Sequence, residues 1–165
     1  MDLGNLKTIK NLIDEELELY FILNTQFEEK RKILISNSTD ELLAIDEKIL
    51  NTVDSIKSSV NHRQIVSSKL GIPSFNMSQI IKVTKEIDKD LAEEFTSVQS
   101  RIQSLIKEIA YKERVIKELI RHGMTLVNKT LNMISNVTSI AGDYNNHGQS
   151  IQSEIGSISS VIEEV

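Results

Sequence analysis

The sequence predicts an all-α protein, an elongated antiparallel helical hairpin packed on one long C-terminal helix as a coiled-coil-like three-helix bundle. Apolar residues recur at spacings of three and four over most of the 165 residues, which is the repeat of one face of a helix. One Pro and six Gly leave few of the breaks that a strand-and-turn fold needs. Aromatic residues make up only 4%, which suits helices packed along narrow Leu, Ile and Val seams.

The first helix is predicted over residues 3–35. Its inward face is mostly apolar, and Asn37-Ser38-Thr39 then interrupts the pattern. The positions that share this face are Leu6, Ile9, Ile13, Glu16, Tyr20, Leu23, Phe27, Lys30 and Leu34.

The second helix is predicted over residues 40–70. Ser38 and Glu41 have the spacing of a capping box at its start, and Gly71 followed by Pro73 provides a stop at its end. The connection to the first helix is short, so the two should form an antiparallel hairpin. The main apolar positions are Leu42, Ile49, Val53, Ile56, Val60 and Leu70.

The third helix is predicted over residues 77–140, after a second capping box formed by Asn76 and Gln79. One continuous helix is the simplest interpretation, and a kink or break at Asp88-Lys89-Asp90 is the alternative. Positions that recur at alternating spacings of four and three residues, without interruption, define what we term the C-terminal seam. Its positions are Leu91, Phe95, Val98, Ile102, Leu105, Ile109, Lys112, Ile116, Leu119, Gly123, Leu126, Thr130, Met133, Val137 and Ile140.

The predicted helices differ in length. At a rise of about 1.5 Å per residue, the first two are each roughly 50 Å long and the third is roughly 95 Å. The hairpin can therefore cover only about half of the C-terminal seam. An uncovered apolar stripe of this length indicates an interaction site, where a partner's helix, a second copy of the chain or the chain's own tail can dock.

Residues 1–148 are expected to form a single helical domain, because Gly142, Asn145, Asn146 and Gly148 end the third helix. Residues 149–165 are expected to be a mobile Ser/Ile-rich tail. The tail can become a short amphipathic helix if it finds a partner, since a 4-3 spacing returns at Ile151, Ile155, Ile158, Ile162 and Val165.

Composition and motifs argue against catalysis, cofactors, nucleic acid and membrane insertion. The chain has no Cys, no phosphate-binding glycine loop and no nucleophile motif, and its charged residues form no basic stripe. No apolar run approaches the roughly 20 residues that span a bilayer. Met1-Asp2-Leu3-Gly4 lacks the basic start of a signal peptide, so a cytosolic location is expected. Glu118 and His122 suit a surface ion pair much better than a metal site.

Two segments resemble the FlgN-like flagellar export chaperones. The first runs from Leu12-Ile13-Asp14-Glu15-Glu16 through Lys30-Arg31-Lys32 and Asp40-Glu41-Leu42 to His62-Arg63 and Lys69-Leu70-Gly71. It is similar to the N-terminal hairpin of that family. The second runs from Glu118-Leu119-Ile120 through Leu126-Val127-Asn128 to Tyr144-Asn145-Asn146-His147-Gly148. It is similar to the family's late-helix pattern.

The resemblance implies a cytosolic type III secretion chaperone without enzymatic activity. Such a protein binds the C-terminal amphipathic helices of hook–filament junction proteins, prevents their premature assembly and delivers them to the flagellar export apparatus. The alternative is a structural coiled-coil scaffold or tethering subunit, in which the same seam forms a homodimer. The client-binding residues expected from the length argument and the resemblance are Leu119, Gly123, Leu126, Val127, Thr130, Met133, Val137 and Ile140.

Overall fold

The structure, a computed structural model, describes residues 3–36, 38–69, 71 and 76–142, and the side-chain surroundings of these residues as far as 135. They form four helices and no strand: α1 Leu3–Ser36, α2 Thr39–Lys69, α3 Met77–Ile87 and α4 Lys89–Gly142. The prediction of an all-α helical bundle is confirmed. The chain divides into two compact units, Met1–Leu119 and Ile120–Val165. The tail at 149–165 and the Tyr144 to Gly148 motif lie outside the described residues.

Helices α1 and α2 form the predicted antiparallel hairpin. Two ion pairs join them, Glu16 with Arg63 and Lys30 with Asp46, each at 2.6 Å. The partner's number falls as the α1 number rises, which is the signature of antiparallel helices. The α2 stop predicted at Gly71 is also present: Gly71 has φ 74 and donates its N–H to the carbonyl of Ser68.

The third predicted helix is divided in two, so the interpretation of one continuous helix over 77–140 is wrong and the alternative break is confirmed. Asp88 has extended backbone angles (φ −150, ψ 110) and separates α3 from α4. Its N–H donates to the Thr84 carbonyl at the end of α3, and its carboxylate accepts from the Leu91 N–H in the first turn of α4. Asp88 therefore satisfies backbone groups of both helices, with its own N–H at the end of α3 and with its carboxylate at the start of α4, which stabilises the break.

The N-cap predicted for α3 is present, because the side chain of Asn76 accepts a hydrogen bond from the Ser78 N–H at 3.1 Å. This fixes the start of α3 at Met77. The helix then contributes Ile80, which is fully buried, to the core.

Two hydrophobic clusters form the core of the first unit. The first joins the N-terminal half of α1 with α3 and the start of α4, and its buried members are Leu6, Ile9, Ile13, Leu17, Ile80, Leu91, Phe95 and Val98. The second joins the C-terminal half of α1 with α2, and its buried members are Leu23, Ile33, Ile45, Ile49 and Ile56. Ile109 of α4 packs against this second cluster. Because α1 contributes to both, it is the central helix of the unit.

Candidate interaction surface

Within the first unit, α4 runs parallel to α1 in a constant register. Three polar pairs join the helices, and in each the two residue numbers differ by 84: Lys10 with Glu94 at 3.6 Å, Asn24 with Glu108 at 2.9 Å, and Glu28 with Lys112 at 4.0 Å. Lys112, the one charged position of the C-terminal seam, also donates to the backbone carbonyl of Asn24 at 3.1 Å. The register therefore explains why a lysine is tolerated among apolar seam residues.

The same register shows how far α1 can support α4. It relates Ile35 to Leu119, which is the last residue of the first unit, and α1 ends one residue later at Ser36. Burial along the seam follows this limit. Leu91, Phe95, Val98 and Ile116 are buried. Leu119, the first predicted client-binding residue, is 36% exposed.

The second unit begins at Ile120, and every side chain described there, from Ile120 to Ser135, is exposed. Leu126 is 67% exposed and Met133 is 68% exposed, although both continue the seam. Solvated apolar side chains at helical spacing over four turns form a patch of the kind that marks a binding site.

The apolar face of this exposed segment is wider than the seam alone. A second stripe, displaced by one residue from the seam, consists of Ile120, Met124, Val127, Leu131 and Ile134. In the first unit, the corresponding displaced positions of α4 are mostly small or polar: Ala92, Thr96, Gln99, Gln103, Ile106, Ala110, Glu113 and Lys117. At 3.6 residues per turn, the seam and the second stripe together occupy roughly half of the helix circumference. A face of this width exceeds a two-stranded coiled-coil seam.

The structure places the predicted client-binding residues as follows. Gly123, Leu126, Thr130 and Met133 lie exposed on the seam, and Val127 lies on the second stripe. Val137 and Ile140 belong to α4, but their side chains lie outside the described residues.

Two of these positions provide little apolar area of their own. An added Cβ at Gly123 would meet nothing within 4 Å, so at this seam position the helix has no side chain and the space beside it is open. The Thr130 hydroxyl donates to the Leu126 carbonyl at 3.0 Å, which satisfies it and leaves its methyl group for contact. The area for binding is therefore supplied by the neighbouring Leu, Val and Met side chains.

The sequence-based set omitted four exposed apolar residues, Ile120, Met124, Leu131 and Ile134. The signal that identifies them is the second 4-3 repeat, offset by one residue from the first. It begins only at Ile120, where the displaced positions change from small or polar to large apolar residues. Met124 and Met133 provide flexible side chains on the two stripes, which suits contact with more than one partner shape.

The described part of the chain contains no group of three or more His, Asp or Glu side chains placed to hold a metal ion. No helix there is long and apolar enough to cross a bilayer. The exposed apolar surface of α4 is thus the candidate that the described residues offer.

Comparison with protein-family models identifies one family. The model described as FlgN protein matches residues 1–151, which include the hairpin, α3, α4 and both segments that carry the resemblance. Comparisons with curated proteins and with solved structures gave no significant match. The match covers nearly the whole chain, and the chain therefore belongs to the FlgN family of flagellar type III export chaperones.

Proposed function

We propose that the chain is a cytosolic chaperone that binds the C-terminal amphipathic helices of hook–filament junction proteins. By covering those helices it prevents premature assembly, and it delivers the bound proteins to the flagellar export apparatus. Family membership supports a role in flagellar export. The observation that carries the proposal is the run of exposed apolar side chains on α4 from Ile120 to Ile134.

The client surface proposed here comprises the residues expected from the sequence, Leu119 to Ile140, together with the second stripe. An amphipathic helix would lay its apolar face on these residues, in the manner of helix-in-groove recognition. Burying one Leu, Ile or Met side chain fully contributes about 1.5–3 kcal/mol. Ordering and association costs offset much of the total, so the complex is expected to be reversible. Reversibility is what delivery to an export apparatus requires.

In this proposal, residues 1–148 act as one chaperone domain and residues 149–165 as a tail. The first unit has a supporting role, because its helices bury or partly bury the seam from Leu91 to Ile116 and anchor the start of α4. No catalytic step is required for the proposed activity.

The proposal is tested by titrating the full-length chain with C-terminal peptides of junction proteins. Leu126→Asp combined with Met133→Asp should abolish or strongly weaken binding, since both charges would enter the apolar contact. Leu50→Asp is the matched control, because Leu50 of α2 is 64% exposed and lies in the first unit. Equal binding by wild type and the double variant would refute the surface, and no binding by wild type would refute the function.

A self-associating scaffold or tethering subunit is the second candidate function, and the same exposed apolar face favours it. A second copy of the chain would then cover Leu126 and Met133. Sedimentation equilibrium distinguishes the two functions. A tight homodimer that persists when client peptide is added would support the scaffold, whereas a monomer, or a dimer that the peptide dissociates, would support the chaperone.

A further inference from the structure

The apolar residues of the tail have the same spacing as the exposed part of the C-terminal seam when the two segments are read in opposite directions. From Gly123 to Val137, the seam positions follow one another at intervals of three, four, three and four residues. Backward from Val165, the apolar residues of the tail follow one another at the same intervals. Two antiparallel helices with this agreement keep their apolar faces together along the whole contact. The aligned pairs are Gly123 with Val165, Leu126 with Ile162, Thr130 with Ile158, Met133 with Ile155, and Val137 with Ile151.

The two smallest seam positions in this alignment lie opposite branched aliphatic residues of the tail. Gly123 has open space where a side chain would stand, and the alignment places Val165 against it. Thr130 is exposed and its hydroxyl is satisfied by the Leu126 carbonyl, so its methyl group is left to contact Ile158. The tail thus supplies large apolar side chains where the seam has the least apolar area, as interdigitating helices require.

The stretch between the two segments is long enough for the chain to reverse direction. Helix α4 ends at Gly142, and the eight residues 143–150 precede the first aligned tail residue, Ile151. Connections of about two to eight residues commonly join neighbouring helices of a bundle. Asn and Gly residues within this stretch favour a turn. The connection therefore allows the tail to return along the helix that precedes it.

Charge favours the tail over a second copy of α4 as the occupant. Lys129 is exposed and lies beside Leu126 and Met133 on the helix surface. The tail contains three Glu and no Lys or Arg, whereas residues 120–142 contain no Asp or Glu. A second copy docked through the same segment would bring another Lys129 and no carboxylate. The tail brings acidic side chains instead, and opposite charges promote association.

The tail lies almost entirely beyond the family match, which ends at residue 151. The match therefore includes the exposed surface of α4 but not the apolar repeat that follows it. A role for this repeat has to be sought in the chain itself.

We propose that the tail, residues 149–165, docks as an antiparallel helix on the exposed part of the C-terminal seam and occupies the client surface when no client is bound. The inference rests on the proposed function, because it names the contact that a client must displace. Five Ser and one Gly lower the helix propensity of the tail, which keeps this contact weak. A client helix that also covers the second stripe buries more apolar area than the tail does and therefore displaces it.

The docking is tested by disulfide formation in the full-length chain, which contains no Cys of its own. Thr130→Cys combined with Ile158→Cys places two thiols at opposed positions of the alignment. Mild oxidation should join them within one chain, seen as a monomer of increased mobility on a denaturing gel without reductant. A saturating junction-protein C-terminal peptide should slow this reaction by about tenfold, because it displaces the tail.

Thr130→Cys combined with Ser160→Cys is the matched control. Ser160 is two residues after Ile158, so on a helix it faces away from the seam, although its separation from Thr130 along the chain is nearly the same. A docked tail should therefore oxidise the Ile158→Cys pair much faster than the Ser160→Cys pair. An undocked tail would close both disulfides at similar rates, because the two loops are similar in length.

Client affinity provides a second measurement on full-length variants. Ile155→Asp combined with Ile158→Asp should weaken tail docking and raise affinity for the junction-protein peptide by about tenfold, because a larger fraction of the chain has an uncovered surface. Ser153→Asp combined with Ser160→Asp adds the same charge on the opposite face of the tail and should leave the affinity unchanged. Fluorescence anisotropy measures both affinities.

Equal oxidation rates for the two cysteine pairs would overturn the inference, and disulfides formed mainly between chains would assign the surface to a second copy. An intrachain disulfide that forms equally fast with peptide bound would show that the tail does not occupy the client surface. In these cases the proposed function stands if the peptide binds and Leu126→Asp with Met133→Asp weakens it. If neither wild type nor the Ile155→Asp variant binds peptide, while the Ile158→Cys pair still oxidises within one chain, the tail contact stands and only the proposed function fails.

Discussion

Glu16 of α1 and Arg63 of α2 form a buried ion pair, with 2.6 Å between Oε1 and Nε. Glu16 occupies a position on the mostly apolar inner face of α1, and Arg63 lies near the C-terminal end of α2. The pair therefore joins the first half of α1 to the second half of α2, and together with Lys30 and Asp46 it fixes the antiparallel alignment. It also explains why a charged residue interrupts the apolar repeat of α1.

Removal of either partner should destabilise the hairpin strongly. Glu16→Ala removes the carboxylate that pairs with the largely buried Arg63 side chain, and we expect a loss of about 3–5 kcal/mol in the free energy of unfolding. Arg63→Ala should have a similar effect, and the double variant should lose less than the sum of the two. Urea unfolding followed by circular dichroism measures these differences.

The control for this prediction is the exposed ion pair between Lys57 and Asp54 of α2, with 3.0 Å between the charged atoms. Lys57→Ala should change the free energy of unfolding by less than about 1 kcal/mol, because an exposed pair is solvated in either case. If Glu16→Ala were no more damaging than Lys57→Ala, the structural role of the buried pair would be contradicted.

Asp88 should be required for the stability of the junction between α3 and α4. Asp88→Ala removes the carboxylate that accepts from the Leu91 N–H at 3.1 Å, and the loss of such a cap costs about 1 kcal/mol. Asp88→Asn retains an acceptor and should be close to wild type. Asp90→Ala, at an exposed position in the same turn, is the control. An Asp88→Ala variant as stable as Asp88→Asn would show that the cap is dispensable.

Alkaline pH should reveal the partial burial of Tyr20. Burial raises the pKa of Tyr20 above its ordinary value of 10.0, the Glu16 carboxylate raises it further, and Arg63 opposes the shift. The folded state thus holds the phenol proton more tightly than the unfolded state does. The resulting stabilisation is complete below the unfolded pKa near 10.0 and is lost as pH rises through the raised folded pKa.

We therefore expect the free energy of unfolding of Tyr20→Phe to fall less than that of wild type as the pH rises above 10.0. Urea unfolding over a pH series measures this difference. Tyr111→Phe is the control, since Tyr111 of α4 is exposed. Identical pH profiles for wild type and Tyr20→Phe would contradict the assigned effect of burial.

Much of the fold follows from local sequence signals. The predicted ranges 3–35 and 40–70 differ by one residue at one or both ends from α1 Leu3–Ser36 and α2 Thr39–Lys69. Gly71 and Asn76 behave as predicted, because stop and cap residues act through short-range backbone hydrogen bonds. The break at Asp88 was harder to predict, since the apolar spacing continues beyond it and its cap depends on one side chain.

The burial of the central helix was predicted less completely. Leu12, Leu17 and Ile33 of α1 are buried, although they are not on the face predicted from the sequence. A single periodic face predicts packing on one neighbour, whereas α1 packs on α2 and also on α3 and α4. Which helix becomes central depends on long-range packing, which a local repeat does not contain.

The candidate surface, like the fold, could be predicted from the sequence only in part. Continuity of the C-terminal seam through Leu126 and Met133 was apparent from spacing alone, and the length comparison predicted that part of it would be uncovered. The second stripe has its own 4-3 repeat in the sequence, but that it belongs to the surface follows only from the exposure of Ile120, Leu131 and Ile134.

The most direct test of the proposed client surface is hydrogen–deuterium exchange of the full-length chain with and without a junction-protein C-terminal peptide. We expect slower exchange on peptide binding in the segment 120–142, because a docked helix suppresses local opening of α4. Exchange in α2 should change little. Slower exchange confined to α1 and α2, with none in 120–142, would show that the peptide does not dock on the proposed client surface.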